Sequence, residues 1–400
     1  MIYQAYQAHS DMLWPLHAAT RASLPLLEDG LLKDWPSARR LAAGWQLMEL
    51  ARVTHRRPPW RIDTAAGLPV QEEAALQTPF CTLRRFAKVG SPAGEPRVLV
   101  VAPMSGHFAT LLRDTVRTLL EHHDVYVTDW HNVRDVPLAA GRFGLDEYTQ
   151  HLIDFIAALG PGAHVLAVCQ PCVSALAAVA VMSEDHHPAT PASLTLMAGP
   201  IDCRINPTTV NELATSKPIE WFERNLIASV PWRLGGGGRR VYPGFVQLSA
   251  FMSMNKERHA NAFKDFYRHL VEDEFDKAEI TRTFYEEYMA VSDLAADFYL
   301  ETVRLVFQDY ALPRGELRFK GRPVRPEAIR RTMLLTVEGE RDDICSAGQT
   351  LAAQDLTPGL RPYMRRHYVQ AGVGHYGVFS GRRWQQRIYP LVREFIELSK

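Results

Sequence analysis

The stretch from His164 to Met182 constrains this chain more than any other. It is almost wholly apolar and about as long as a membrane-spanning helix of roughly 20 residues. Gln170-Pro171 interrupts it near the middle, and the two halves then read differently. His164-Val-Leu-Ala-Val168 is a short buried strand, and Val173 to Met182 is a buried helix. A membrane span is therefore not expected.

The flanking sequence repeats this strand–helix grammar. Arg97-Val-Leu-Val-Val-Ala-Pro103 is an apolar run ending in a turn, followed by helical spacing over Phe108 to His122. Asp124-Val-Tyr-Val-Thr-Asp-Trp130 is a strand, and Leu145 to Leu159 places Tyr148, Leu152, Phe155 and Ile156 on one helical face. Ser193-Leu-Thr-Leu-Met-Ala198 is a further strand. Strands alternating with helices at this spacing imply parallel pairing through right-handed crossovers. The alternation stops near Asp202 and resumes at Thr332-Met-Leu-Leu-Thr-Val337, with His367-Tyr-Val-Gln370 as a last strand and Trp384 to Leu398 as a closing helix. The expected organisation is a helical and irregular extension over 1–78, core over 79–205, a helical cap insertion over 206–324, and core again over 325–400. The insertion carries Gly235-Gly-Gly-Gly238 and the spaced aromatics Phe284, Tyr288 and Phe298. The extension carries Trp14, Trp35, Trp45 and Trp60 and the break Pro58-Pro59.

Composition narrows the function classes. Lys+Arg and Asp+Glu both number 45, so no basic face for nucleic acid is expected. With 46% hydrophobic residues, the chain can bury a large core without disulfides or a structural metal. No secretory signal is visible in Met1 to Leu27, and a cytoplasmic location is expected. The five cysteines, Cys81, Cys169, Cys172, Cys203 and Cys345, are odd in number and scattered, which fits free thiols. No Cys/His group has zinc-ligand spacing, and neither metal nor cofactor is expected. The oligomeric state is left open, a homodimer included.

Chemistry concentrates at Ala167-Val168-Cys169-Gln170-Pro171, where the strand turns into the helix. At such an elbow the turn residue projects its side chain above the sheet, and small neighbours allow strand and helix to approach. Cys169 is the candidate nucleophile, its thiolate favoured by the helix N-terminus behind it. Asp342 follows a strand in Val337-Glu-Gly-Glu-Arg-Asp-Asp343, and His375 lies in Gly372-Val-Gly-His-Tyr-Gly377 after the last strand. Nucleophile, acid and histidine in that order match the α/β-hydrolase arrangement, so the expected fold is a mostly parallel, doubly wound sheet with a helical cap. His375 would act as base, oriented by Asp342, with Asp343 as the alternative acid. Oxyanion donors would be the backbone N–H of Gln170 and of Met104, with Ser105 next after it, because Pro103 has none. His107 either contacts substrate or satisfies a turn carbonyl. Cys169-Gln-Pro-Cys172 also describes a thioredoxin-like redox site, in which Cys172 would resolve. The later acid and histidine loops favour hydrolysis.

The chain resembles the intracellular poly(3-hydroxybutyrate) depolymerases. The resemblance rests on Phe80-Cys-Thr-Leu83, Val101-Ala-Pro-Met-Ser-Gly-His-Phe-Ala-Thr110, Val127-Thr-Asp-Trp-His131 and Ala167-Val-Cys-Gln-Pro171. It continues through Leu196-Met-Ala-Gly-Pro-Ile-Asp202, Tyr242-Pro-Gly-Phe245, Phe251-Met-Ser-Met-Asn255, Val337 to Asp343, and Val373-Gly-His-Tyr-Gly-Val-Phe379. It implies a Cys169–Asp342–His375 triad, attachment to cytoplasmic polyester granules, and release of 3-hydroxybutyrate oligomers or monomer. Cys172 and the glycine run depart from the usual pattern. Three other readings remain: a polyester synthase transferring acyl groups from a CoA thioester, a generic carboxylesterase or thioesterase, and a non-catalytic granule-coat protein. An uncharged polyester needs an apolar docking patch, sought around the cap and the N-terminal tryptophans.

Overall fold

The computed structural model describes residues 2–28, 35–91, 94–254 and 256–400. Asn255, the last residue of one motif above, lies outside them. Helices α1 (Ile2–Glu28) and α2 (Pro36–Leu50) precede a sheet of nine strands among the described residues. The strands are β1 (Thr64–Ala65), β2 (Leu68–Gln77), β3 (Cys81–Lys88), β4 (Arg97–Val101), β5 (Asp124–Trp130), β6 (His164–Val168), β7 (Ser193–Met197), β8 (Met333–Gly339) and β9 (Arg365–Gln370). Their order is β1-β2-β3-β5-β4-β6-β7-β8-β9. From β5 to β9 every pairing is parallel, whereas β1 to β3 join antiparallel at one edge.

The parallel strands β6, β7 and β8 are buried at every residue. Helices cover both faces of such a sheet, which is why these strands read as unbroken apolar runs. The crossovers are α3 (Arg113–Leu120), α4 (Leu145–Leu159) and α5 (Cys172–Glu184). This is the α/β-hydrolase fold. The run His164–Met182 is divided between β6 and α5, and no helix among the described residues is long and apolar enough to cross a membrane.

Between β7 and β8 the chain forms α6 (Thr209–Thr215), α7 (Ile219–Leu226), α8 (Gly244–Met254), α9 (Lys256–Val271), α10 (Phe275–Tyr288) and α11 (Ala296–Thr302). α9, α10 and the N-terminal α2 share a core of their own, with Leu50, Phe266, Leu270 and Tyr285 buried. The glycine run has a packing role. A Cβ on Gly235 or Gly236 would collide with backbone of Asp135 or Arg134, and the Gly236 N–H donates to the Arg134 carbonyl at 2.7 Å.

The expectation of an irregular extension up to residue 78 is corrected by β1 and β2, which occupy Thr64–Gln77. The strand was hidden because β2 (LPVQEEAALQ) lies at the sheet edge and is exposed along nearly its whole length. No buried face imposed a period-2 apolar pattern on it.

One buried node fastens the N-terminus to the cap and the core. Asp293, fully buried, accepts from the Tyr3 hydroxyl and from the Gly244 N–H at 2.9 Å, and its own N–H donates to Asn132 Oδ1 at 3.0 Å. Burial pushes the Asp293 carboxyl up to about 6, against the opposing effect of its hydrogen bonds. The folded state therefore binds this proton more tightly than the unfolded chain. The resulting stabilisation is full below the ordinary carboxyl range and is lost as pH climbs through about 6. Comparing wild type with Asp293→Asn by urea unfolding at pH 4 and pH 7, the stability difference should move by roughly 2 kcal/mol in favour of the variant at the higher pH. A second expectation concerns the close contact of α5 with the loop after β7. A Cβ on Gly199 would overlap Cβ and Sγ of Cys172. Gly199→Ala should cost roughly 2 kcal/mol in the same unfolding measurement.

Candidate active site

β6 delivers the chain to Cys169 at φ +67°, in the left-handed region. For a residue with a side chain this conformation costs about 1–3 kcal/mol and persists only where the surroundings enforce it. Here the Cys169 N–H donates to the Met197 carbonyl at 2.8 Å, and the Cys169 carbonyl accepts from the Cys172 N–H at 3.2 Å as α5 begins. Gly199 leaves the room that this tight entry requires. The Cys169 side chain is half-buried and lines a cavity. Cys172 is fully buried, its thiol directed at the carbonyls of Ala167 and Met197 at 3.4 and 3.7 Å, and burial holds its pKa above the ordinary thiol value. It faces the packed interior, as a small residue beneath the elbow, and lacks the exposure of a resolving thiol.

The loops after β8 and β9 bring Asp342 and His375 together. They are laced by the Glu340 N–H to the Gln370 carbonyl at 3.0 Å and the Arg341 N–H to the Val373 carbonyl at 2.9 Å. Gly339 allows this approach, since a Cβ there would lie 2.9 Å from the Val373 carbonyl oxygen. The outcome is a 2.8 Å bond between His375 Nδ1 and Asp342 Oδ2. The other Asp342 oxygen accepts the N–H groups of Ile344 and Cys345, each at 2.9 Å. The adjacent Asp343 is exposed and makes no ion pair among the described residues. Of the two candidate acids, Asp342 is therefore the one that touches the imidazole.

Burial of His375 works to lower its pKa. Cys169 and Asp342 act on the same ring and outweigh that effect, raising it well above the ordinary histidine value. The sulfur and the carboxylate thus both favour the positive form of the imidazole.

The turn after β4 lies beside Cys169. The Met104 N–H donates to the side-chain oxygen of Gln170 at 3.2 Å, so the two expected oxyanion donors belong to neighbouring residues. Gly106, at φ +90°, packs against Gln247 of α8, whose side-chain amide donates to the Ser105 carbonyl. His107 Nε2 meets the Tyr288 carbonyl at 3.2 Å, and burial pushes its pKa down to about 4. It satisfies a carbonyl and lines the cavity as well. Gln247 had no catalytic signature in the sequence. The motif at Tyr242–Phe245, which opens its helix, was the only pointer to it.

The cavity measures about 220 Å³ and is walled by Met104, Phe251, Phe298, Phe307 and Tyr376 around Cys169 and His375. It contains few polar atoms, and Cys345 contributes to its wall as a buried thiol. Its wall is of the predominantly apolar kind that lines small-molecule sites.

Among curated proteins none matches the chain. Solved structures that match include a putative lipase from Acinetobacter baumannii AYE, 13% identical over 90% of this chain and 97% of that one, with a TM-score of 0.46. A membrane phospholipase A described as a bacterial virulence factor is 12% identical over 98% and 99%, with a TM-score of 0.43. A meta-cleavage product hydrolase from Pseudomonas fluorescens IP01 is 17% identical over 84% and 97%, with a TM-score of 0.41. Residues 198–400, half of the chain, match the family described as PHB de-polymerase C-terminus. With this match, over the cap, the acid loop and the histidine loop, the chain belongs to the PHB depolymerase family and is a carboxylic ester hydrolase of α/β-hydrolase fold.

Proposed function

We propose that this protein hydrolyses stored poly(3-hydroxybutyrate) through a covalent thioester on Cys169. The observation that carries the reading is the buried imidazole of His375, bonded to Asp342 at 2.8 Å and lining the same apolar cavity as Cys169. In the first half-reaction the Cys169 thiolate attacks the ester carbonyl carbon. The carbon–oxygen bond to the alcohol breaks, and His375 gives its proton to the departing oxygen. In the second, His375 takes a proton from water as the oxygen of that water adds to the thioester. The carbon–sulfur bond breaks, the thiolate returns, and the hydroxy acid leaves. The backbone N–H groups of Gln170 and Met104 stabilise the tetrahedral oxyanion in both halves. For this the oxyanion takes the place that the Gln170 side-chain oxygen holds against the Met104 N–H.

The polymer is uncharged along its length, in keeping with the apolar cavity wall. Attachment to a polyester granule in the cytoplasm is part of the same proposal. It is supported by exposed indoles at Trp14 (65%), Trp35 (61%) and Trp232 (81%), apolar side chains available to such a surface. Asp11 of α1 pairs with Arg233, which sets Trp232 next to that helix.

Brief exposure to amorphous polymer followed by mass spectrometry should show a hydroxyacyl adduct on Cys169, and Cys169→Ala should abolish both adduct and granule turnover. Undiminished turnover in that variant would remove the cysteine from the mechanism, and polymerisation of a hydroxyacyl-CoA would mark the chain as a transferase. Asp342→Asn should remain folded, lower turnover by roughly three to four orders of magnitude, and shift the His375 titration downward in NMR of labelled histidines. Asp343→Asn should do far less in both measurements. Equal losses from the two changes would leave the acid unassigned.

A further inference from the structure

A second cavity, of about 230 Å³, meets the first at Phe251, Ile344, His375 and Tyr376. The two differ in character. The first is almost wholly apolar, whereas the second is walled by Arg258, His259, Tyr288 and Asp343. Arg258, on α9, is exposed to this space and makes no ion pair or hydrogen bond among the described residues. His259 is buried, with Nδ1 2.8 Å from the Tyr285 hydroxyl, and burial lowers its pKa. Besides His375 at the junction, the charged side chains of the chamber wall are the guanidinium of Arg258 and the carboxylate of Asp343, which make no ion pair with each other.

Ester cleavage has a direction at this junction. The acyl half of the substrate becomes attached to Cys169, and the alcohol half receives its proton from His375, so the alcohol half lies on the imidazole's side. In a chain of 3-hydroxy acids the two halves end differently. The acyl half runs to a neutral hydroxyl, and the alcohol half runs to a free carboxylate. A neutral end suits the apolar cavity, and an anionic end suits a chamber with an unpaired arginine.

Resting on the proposed reading of the site, we infer that Arg258 is a specificity-determining residue. It binds the terminal carboxylate of a short 3-hydroxyacyl chain in the second chamber and so directs cleavage to linkages near that end. Asp343 opposes the same carboxylate and limits its affinity, so product acid does not stay bound.

The test compares two probes, the linear 3-hydroxybutyrate trimer as free acid and as its methyl ester. Arg258→Gln should lower kcat/KM for the free acid about fivefold, through KM, the worth of one charged contact at a partly exposed site. It should leave the methyl ester within about twofold. Asp343→Asn should raise kcat/KM for the free acid and leave the ester unchanged. Equal changes on both probes, or none on either, would overturn the role of Arg258. A wild-type enzyme that cleaves neither trimer and acquires no adduct on Cys169 would overturn the underlying reading of the site, and this inference with it.

Discussion

The structure is organised around a turn that a polypeptide does not adopt unaided. At Cys169 the chain must leave a buried parallel strand and enter a buried helix within one residue, at a positive φ. Two conditions permit this: a bond from its N–H to the neighbouring strand, and a glycine at 199 where any side chain would overlap Cys172. The strained turn raises the sulfur above the carboxyl ends of the strands, where the loops after β8 and β9 also arrive. Substrate sites of open parallel sheets lie at that edge because successive loops converge there.

The second theme is the dependence of the site on the cap. The loop that carries Met104 is braced from α8 by Gln247, and the Ser292 N–H donates to the Gly106 carbonyl at 2.8 Å. The cap is in turn tied to α1 and to the core through Asp293. Residues far from the sulfur therefore set the position of a backbone donor next to it. A buried carboxyl at such a junction is a costly tie unless it is hydrogen-bonded, and both oxygens of Asp293 are. α1 and α2 are thus integral to the cap's packing.

The electrostatics of the site are economical in the number of groups involved. A single imidazole lies between a sulfur and a carboxylate whose second oxygen is saturated by two backbone N–H groups. Around them the wall is apolar, which strengthens the interaction among the few charges present by excluding water. This division, with a small polar centre in an apolar cavity and a second chamber of different character beyond the ring, gives the proposed substrate two distinguishable ends.

Much of this was legible from the chain alone. The apolar runs at His164–Val168, Ser193–Met197 and Met333–Val337 are buried on both faces, and that burial left a continuous signal in the text. Cys169, Asp342 and His375 each follow a strand, so their convergence at one edge followed from topology. Other features did not follow. β2 left no pattern because neither of its faces is buried, and Asp342 could not be told from Asp343 because neighbouring loop residues differ only in the direction of their side chains. The bracing by Gln247, the tie at Asp293 and the meeting of two cavities at His375 join segments remote in the chain. Local periodicity records which side of an element is buried; contacts between distant elements are decided only when the whole chain packs.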